Sequence, residues 1–468
     1  VKPTSQNTQV MIFSSLVFLF YFLPAALVLY YLCPKIARNG ILTLISVLFY
    51  AWGGMGHLAL LLGSIMVNFF FVQRIRGNEV SAKKWLTIGV VFNLLVLLFF
   101  KYRNFFMEIA FPQDEFSRLV LPVGISFYTF HQLSMLVDIY KDRSLPKPNF
   151  GNTILYITLF PQLVAGPIVR YNFIAHQLLH RKESVQLLYE GIQLFIIGLS
   201  KKVILANTLA VLADSIFDSN QEFLTSSAAW LGIVAYTLQI YFDFSGYTDM
   251  ALGLGKMFGF ELPENFNLPY IAKSIKEFWR RWHISLSTWF RDYVYIPLGG
   301  SKKGEARTYF NLIIVFTLTG FWHGASWSFI FWGLFHGFFL LMERMWLEKI
   351  LSRIPKILQW SYTLLIVMIG WVFFRVEDFS NAMQYVLELF AFDVVGKSAL
   401  FYLNKEFIFM LFFGILFAVF SWKPLLNATW VKSPILEFAK NSMLLLLFFY
   451  CTLKLTNSSY NPFIYFNF

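Results

Sequence analysis

The sequence predicts an all-helical protein that crosses a membrane many times, and three observations predict it. Of the 468 residues, 57% are hydrophobic and only 14% carry charge, against about 25% charged in soluble domains. Apolar runs recur from end to end, with no polar stretch long enough to join separate soluble domains. Basic residues gather in short loops between those runs, where cytoplasmic loops of membrane proteins collect Lys and Arg. The net charge of +12 therefore reads as topology, and no basic face free of membrane remains for nucleic acid. The two cysteines, Cys33 and Cys451, rule out a disulfide framework, a Cys-rich zinc site and the cysteine motif of a protein S-acyltransferase.

Taken in order, the apolar runs cover 12–32, 41–54, 57–73, 85–100, 119–139, 153–169, 186–206, 228–243, 309–322, 325–347, 357–375, 406–421 and 439–455. The first is about as long as a bilayer span of ~20 residues and lacks a small-residue cleavage site, so it reads as a membrane helix rather than a signal peptide. Residues 1–10 are polar and precede a plausible start at Met11; they read as a tag, scar or alternative start. Residues 11–468 read as one integral membrane domain. Gly53, Gly54 and Gly56 break the second run from the third. The run Leu159–Pro167 holds two prolines and a glycine, backbone tolerated at membrane depth only when packed in protein or lining a cavity. Several runs fall short of a full span, which predicts about ten to twelve membrane helices with some re-entrant or interfacial.

The segment 272–290 differs from the rest. Ile275, Trp279, Trp282, Leu286 and Trp289 recur at three- and four-residue intervals, with Lys273, Lys276, Arg280 and Arg281 between them. This spacing predicts an amphipathic basic helix lying at a membrane interface.

Seven histidines are present. His176 and His180 have the spacing of a helical chelate, but Gln177 stands where a zincin needs glutamate and Arg181 and Lys182 follow, so the pair reads as a solvated basic loop. His323 lies in TGFWHGASW between two apolar runs, flanked by Gly320 and Gly324. An ionisable group there is costly and faces a cavity or pathway, or bonds a buried carbonyl. Imidazole is also the side chain best matched to general-base work near neutral pH. His336 reads as a helix-packing residue. In YFDFSGYTD, the residues Asp243, Ser245, Thr248 and Asp249 either line a polar vestibule or cap a following helix. No GxSxG elbow, Walker loop or GxGxxG fingerprint occurs, so hydrolase, NTPase and dinucleotide readings lack support.

At these motifs the sequence resembles the membrane-bound O-acyltransferase (MBOAT) family, in its branch of bacterial alginate and peptidoglycan O-acetyltransferases. The resemblance rests on LPVGISFYTFHQLS, FPQLVAGPIVRY and YFDFSGYTDMALGLGKMFGFELPENFNLPY, then on FWRRWHISLSTWFRDYVYIPLGGS and TGFWHGASWSFIFWGLFHG. It implies a helical bundle around a central tunnel, with the reaction centre at His323 and His283. It also implies a multi-pass protein of the bacterial cytoplasmic (inner) membrane. There an acyl group passes from a cytosolic thioester donor, such as acetyl-CoA, across the membrane. An extracytoplasmic SGNH-type partner then places it on a polysaccharide acceptor. No cofactor is bound and no metal is called for. With that chemistry in view, His323 is expected as general base and His283 as positioning or electrostatic support. Asp243, Ser245, Asp249, Arg280, Arg281, Trp289, Arg291 and Trp322 are expected along the substrate or donor tunnel. D-alanyl transfer to teichoic acid from an acyl carrier protein, and a transporter or channel, remain the alternatives.

The charged loops carry a topology prediction. Lys35 and Arg38, the stretch Arg74–Lys84, and the stretch Lys141–Lys147 alternate correctly if all three loops are cytoplasmic. Cysteines introduced at Arg74–Lys84 and Lys141–Lys147 should resist an impermeant thiol reagent added outside intact cells. Labelling of both loops would reverse the orientation.

Overall fold

The computed structural model describes residues 11–111, 117–164, 166–219, 224–391, 396–421, 433–458 and 460–464. The expected extension at residues 1–10 lies outside them. Among the described residues every element is helical, apart from one isolated bridge between Leu224 and Lys397. Five helices among the described residues are long and apolar enough to cross a membrane: Met55–Gly77, Glu79–Ala110, Val185–Phe217, Lys356–Arg375 and Pro434–Asn457. The chain divides into two compact units, residues 1–195 with 247–263, and residues 196–246 with 264–468.

In the first unit, the glycine break falls where the sequence places it. Helix Arg38–Ala51 ends just before it, and Met55–Gly77 starts after Gly54, whose φ of 130° suits glycine. Helix Ile125–Lys141 is buried on nearly every side. It starts at Gly124 (φ 70°), where a Cβ would lie 2.9 Å from the Leu163 carbonyl oxygen, so the backbone at Leu163 and Val164 packs directly against it. Tyr156 Oη donates to the Val169 carbonyl at 2.8 Å, and the Val169 N–H meets His131 Nε2 at 3.3 Å, which hold the chain just after the Leu159–Pro167 stretch. Asn68 and Asn93 exchange amide hydrogen bonds of 3.1 and 2.7 Å inside the unit. The Arg76 guanidinium donates to the carbonyls of Arg143 and Leu145, so the two basic loops expected on one side are tied together.

In the second unit, helices Glu305–His323 and Trp327–Met342 form a tight hairpin. A Cβ at Gly320 would collide with the Phe329 carbonyl, and one at Gly333 with the Phe316 carbonyl. Small residues thus let the two backbones touch, as in membrane helix pairs generally.

The fold overturns one expectation and removes one of two open readings. The segment 272–290 is not one amphipathic helix but two short ones, Ile275–Arg281 and Ile284–Phe290. The chain breaks at His283, which takes a left-handed φ of 44°. Its apolar side, Ile275, Trp279, Trp282, Leu286 and Trp289, is buried inside the protein instead of lying on a bilayer surface. The cluster Asp243–Asp249 caps nothing, because it sits within the single 32-residue helix Ser226–Met257.

Asp243 instead forms a buried ion pair. Its Oδ1 lies 2.5 Å from Lys202 Nζ, each side chain 2% exposed, and its Oδ2 accepts the Ile464 N–H at 2.9 Å. Lys202 sits in a widened π-helical turn, Lys201–Ala206, and also donates to the Pro462 carbonyl. Removing one partner of such a pair strands a buried charge at a cost of about 3–5 kcal/mol, whereas a matched apolar pair is often neutral. Lys202→Met and Asp243→Leu should each lower the thermal unfolding temperature in detergent, and the double variant should recover most of that loss. A double variant as unstable as the sum of the singles would refute the pairing.

Candidate functional site

His323 is the last residue of helix Glu305–His323, and the next residue, Gly324, turns the chain to extended backbone. His283 stands at the start of Ile284–Phe290 in its left-handed conformation. Both are fully enclosed, at 1% and 0% exposure. Their ring centroids are 6.4 Å apart. That is too far for the ring nitrogens to bond directly.

The walls around them are aromatic. Trp322 stands edge-on to His323 at 4.8 Å and lies 6.2 Å from His283. Trp332 and Phe374 each meet His323 edge-on at 5.1 Å. Phe244 meets His283 at 4.7 Å. Rings of this kind exclude water, which strengthens any hydrogen bond or charge formed between the two histidines. On the other side of His283, Nδ1 is 3.0 Å from Asn265 Oδ1, an oxygen that also accepts from Ser285 N and Oγ at 3.1 and 2.9 Å.

A cavity of about 350 Å³ lined almost wholly by apolar side chains lies elsewhere in this unit, among Phe242, Phe413 and Leu444, and holds no histidine. A second cavity, of about 330 Å³, is charged. Lys276, Arg280, Arg291 and Arg344 line it together with Glu343 and Glu348. Its apolar lining includes Trp279, Leu286, Phe316 and Leu340, and it reaches Thr319, one helical turn before His323. Glu343 is buried and accepts the backbone N–H groups of Ile275 and Lys276 at 2.6 and 3.0 Å. It thereby anchors the start of the helix that carries Arg280.

The expected site residues separate into three groups. His283, His323 and Trp322 are together, and Arg280 and Arg291 line the charged cavity. Arg281 and Trp289 do not: Arg281 binds Glu277 at 2.8 Å and the Asn267 carbonyl at 3.1 Å, and buried Trp289 packs on Tyr293 at 5.1 Å. Asp243 and Ser245 flank Phe244 on its helix, but the Asp243 carboxylate is committed to Lys202. Asp249 belongs to the first compact unit and the histidines to the second. His336 is buried among Phe278, Trp279, Trp332 and Phe335, consistent with a packing role. His176 and His180 are exposed. Sequence reading missed Asn265 and Lys202. A lysine inside an apolar run was a usable signal; Asn265 carried none, because nothing local marks its partner 18 residues away.

Comparison with known proteins adds the following. The model of the membrane-bound O-acyltransferase family matches residues 84–376. The probable alginate O-acetylase AlgI of Azotobacter vinelandii is 40% identical, over 98% of this chain and 100% of its own length. The protein of the same name from Pseudomonas aeruginosa is 44% identical, over 83% of this chain and 77% of its own. The peptidoglycan O-acetyltransferase of Helicobacter pylori is 38% identical, over 85% and 82%.

Proposed function

The chain belongs to the membrane-bound O-acyltransferase family, and from that premise we propose that it moves an acetyl group across the bacterial inner membrane for O-acetylation of an extracytoplasmic polysaccharide. It is an integral membrane acyltransferase. The names of its relatives favour alginate or peptidoglycan as the kind of polymer. The single observation that carries the mechanism is the enclosed pair of histidines 6.4 Å apart.

The donor in this reading is a cytosolic thioester, acetyl-CoA. Phosphates of such a donor suit the rim of Lys276, Arg280, Arg291 and Arg344, and its acyl-bearing arm suits the apolar lining that leads to Thr319. In the transfer, a hydroxyl oxygen attacks the thioester carbonyl. A C–O bond forms, the C–S bond breaks, and the hydroxyl proton passes through His323 to the departing thiolate. His323 is the general base, and His283 supports the charge that His323 acquires. An SGNH-type partner outside the membrane completes placement on the polymer.

Loss of a positioned base costs about 10²–10⁴-fold in rate. His323→Ala and His323→Gln should therefore both abolish measurable acetyl transfer in purified, monodisperse protein that still unfolds cooperatively. Glutamine keeps a hydrogen bond but cannot take up the proton. His336→Ala, which removes a buried histidine from aromatic packing, serves as the matched control and should keep transfer. Near-normal activity in His323→Gln would sink the base assignment.

The charged cavity yields a second expectation. Arg280→Ala combined with Arg291→Ala should raise the KM for acetyl-CoA by about tenfold or more, with kcat less affected, if each lost charge contact is worth about 1 kcal/mol. Arg281→Ala, whose side chain does not line the cavity, should change KM far less. Equal effects from the two substitutions would place the donor elsewhere.

A further inference from the structure

We infer that Asn265 is a positioning residue that sets the tautomer of His283, so that this histidine faces the reaction as a hydrogen-bond acceptor. The inference rests on the preceding reading of the two histidines as the reaction centre, and it follows from which atoms are able to donate.

Asn265 Oδ1 has three neighbours: His283 Nδ1 at 3.0 Å, Ser285 N at 3.1 Å and Ser285 Oγ at 2.9 Å. A backbone N–H only donates. The Asn265 atom facing Ser285 N must therefore be the carbonyl oxygen, which settles the amide orientation. A carbonyl oxygen only accepts, so His283 Nδ1 must carry the hydrogen. Neutral imidazole has one N–H, which leaves the lone pair on Nε2.

The surrounding backbone leaves this choice little freedom. The Ile284 N–H donates to the Asn265 carbonyl and the Asn267 N–H to the Arg281 carbonyl, each at 3.0 Å. These two rungs clamp the asparagine loop to both sides of the His283 break. The left-handed φ of 44° at His283 is sparsely populated for a residue with a side chain. Such a conformation persists where surrounding contacts over-determine it. Both side chains are buried, Asn265 at 1% and His283 at 0% exposure, so water does not compete for the bond.

The consequence concerns the direction of hydrogen bonding. With Nδ1–H spent on Asn265, neutral His283 accepts at Nε2 and does not donate from it. It is thus suited to accept a hydrogen bond as His323 becomes an imidazolium, in keeping with its support of that charge. It is not suited to donate to the carbonyl oxygen of the thioester. Asn265 stands behind His283 as a third group orients a base in other acyl-transfer sites.

The test uses full-length protein in detergent, labelled with 15N-histidine, with acetyl-CoA as donor. A His283→Asn difference spectrum assigns the His283 nitrogens. The wild-type spectrum should show the Nδ1–H tautomer, and an Nε2–H tautomer would overturn the inference whatever the activity. Asn265→Leu should lower kcat by about 10²-fold or more with the KM for acetyl-CoA unchanged, and should release the tautomer. Asn265→Asp retains an accepting oxygen and should restore both the tautomer and most of kcat. If Asn265→Leu does not fold, the wild-type spectrum and Asn265→Asp still decide. A folded Asn265→Leu with normal kcat would overturn the positioning role. If the wild-type protein transfers nothing from acetyl-CoA while the Nδ1–H tautomer is found, the functional reading fails and the tautomer stands.

Discussion

The backbone contact between Gly320 and Gly333 is the constraint on which the rest of the site depends. With no Cβ at either position, helices Glu305–His323 and Trp327–Met342 approach until carbonyl oxygens of one face the α-carbons of the other. That spacing carries Trp332 against His323 and places His336 between Trp279 and Trp332. In a lipid environment, attraction between helices comes from close packing and hydrogen bonds more than from hydrophobicity. A methyl group at either glycine would push the backbones apart and take His323 out of its aromatic box.

The polar groups inside the protein follow from the same lack of water. Lys202 and Asp243 satisfy each other and the backbone of residues 462 and 464. Asn68 and Asn93 satisfy each other across two helices. Glu343 satisfies two N–H groups at a helix start, where a carboxylate also meets the positive end of the helix dipole. Each arrangement uses a fixed partner where a soluble protein could use solvent. The cost of leaving such groups unpaired in hydrocarbon makes each one a constraint on helix position.

The segment 272–290 illustrates how local pattern and tertiary demand diverge. Its apolar residues recur at helical spacing, and the two short helices keep that spacing on either side of the break. What the pattern does not carry is the break itself. Bonds from Asn265 and Asn267 hold the chain on both sides of His283 and turn the second helix, so that Leu286 comes to line the charged cavity. The apolar face meets protein because Trp332, His336 and Trp371 are there to receive it, side chains that lie 50 or more residues further along the chain.

By itself the sequence determined the membrane class, the helical architecture and the glycine break, because hydropathy, helix period and glycine are local properties. The resemblance to its family was legible for a related reason: the motifs are continuous stretches of chain. Only the tertiary structure decided which charged side chains share a cavity. It brought Arg280 and Arg291 together, committed Arg281 to Glu277 and Asp243 to Lys202, and set Asn265 against His283. Those outcomes depend on which helices are neighbours and on which face each presents. A hydrogen bond or ion pair forms across a few ångströms of space, and no period or composition along the chain records that distance.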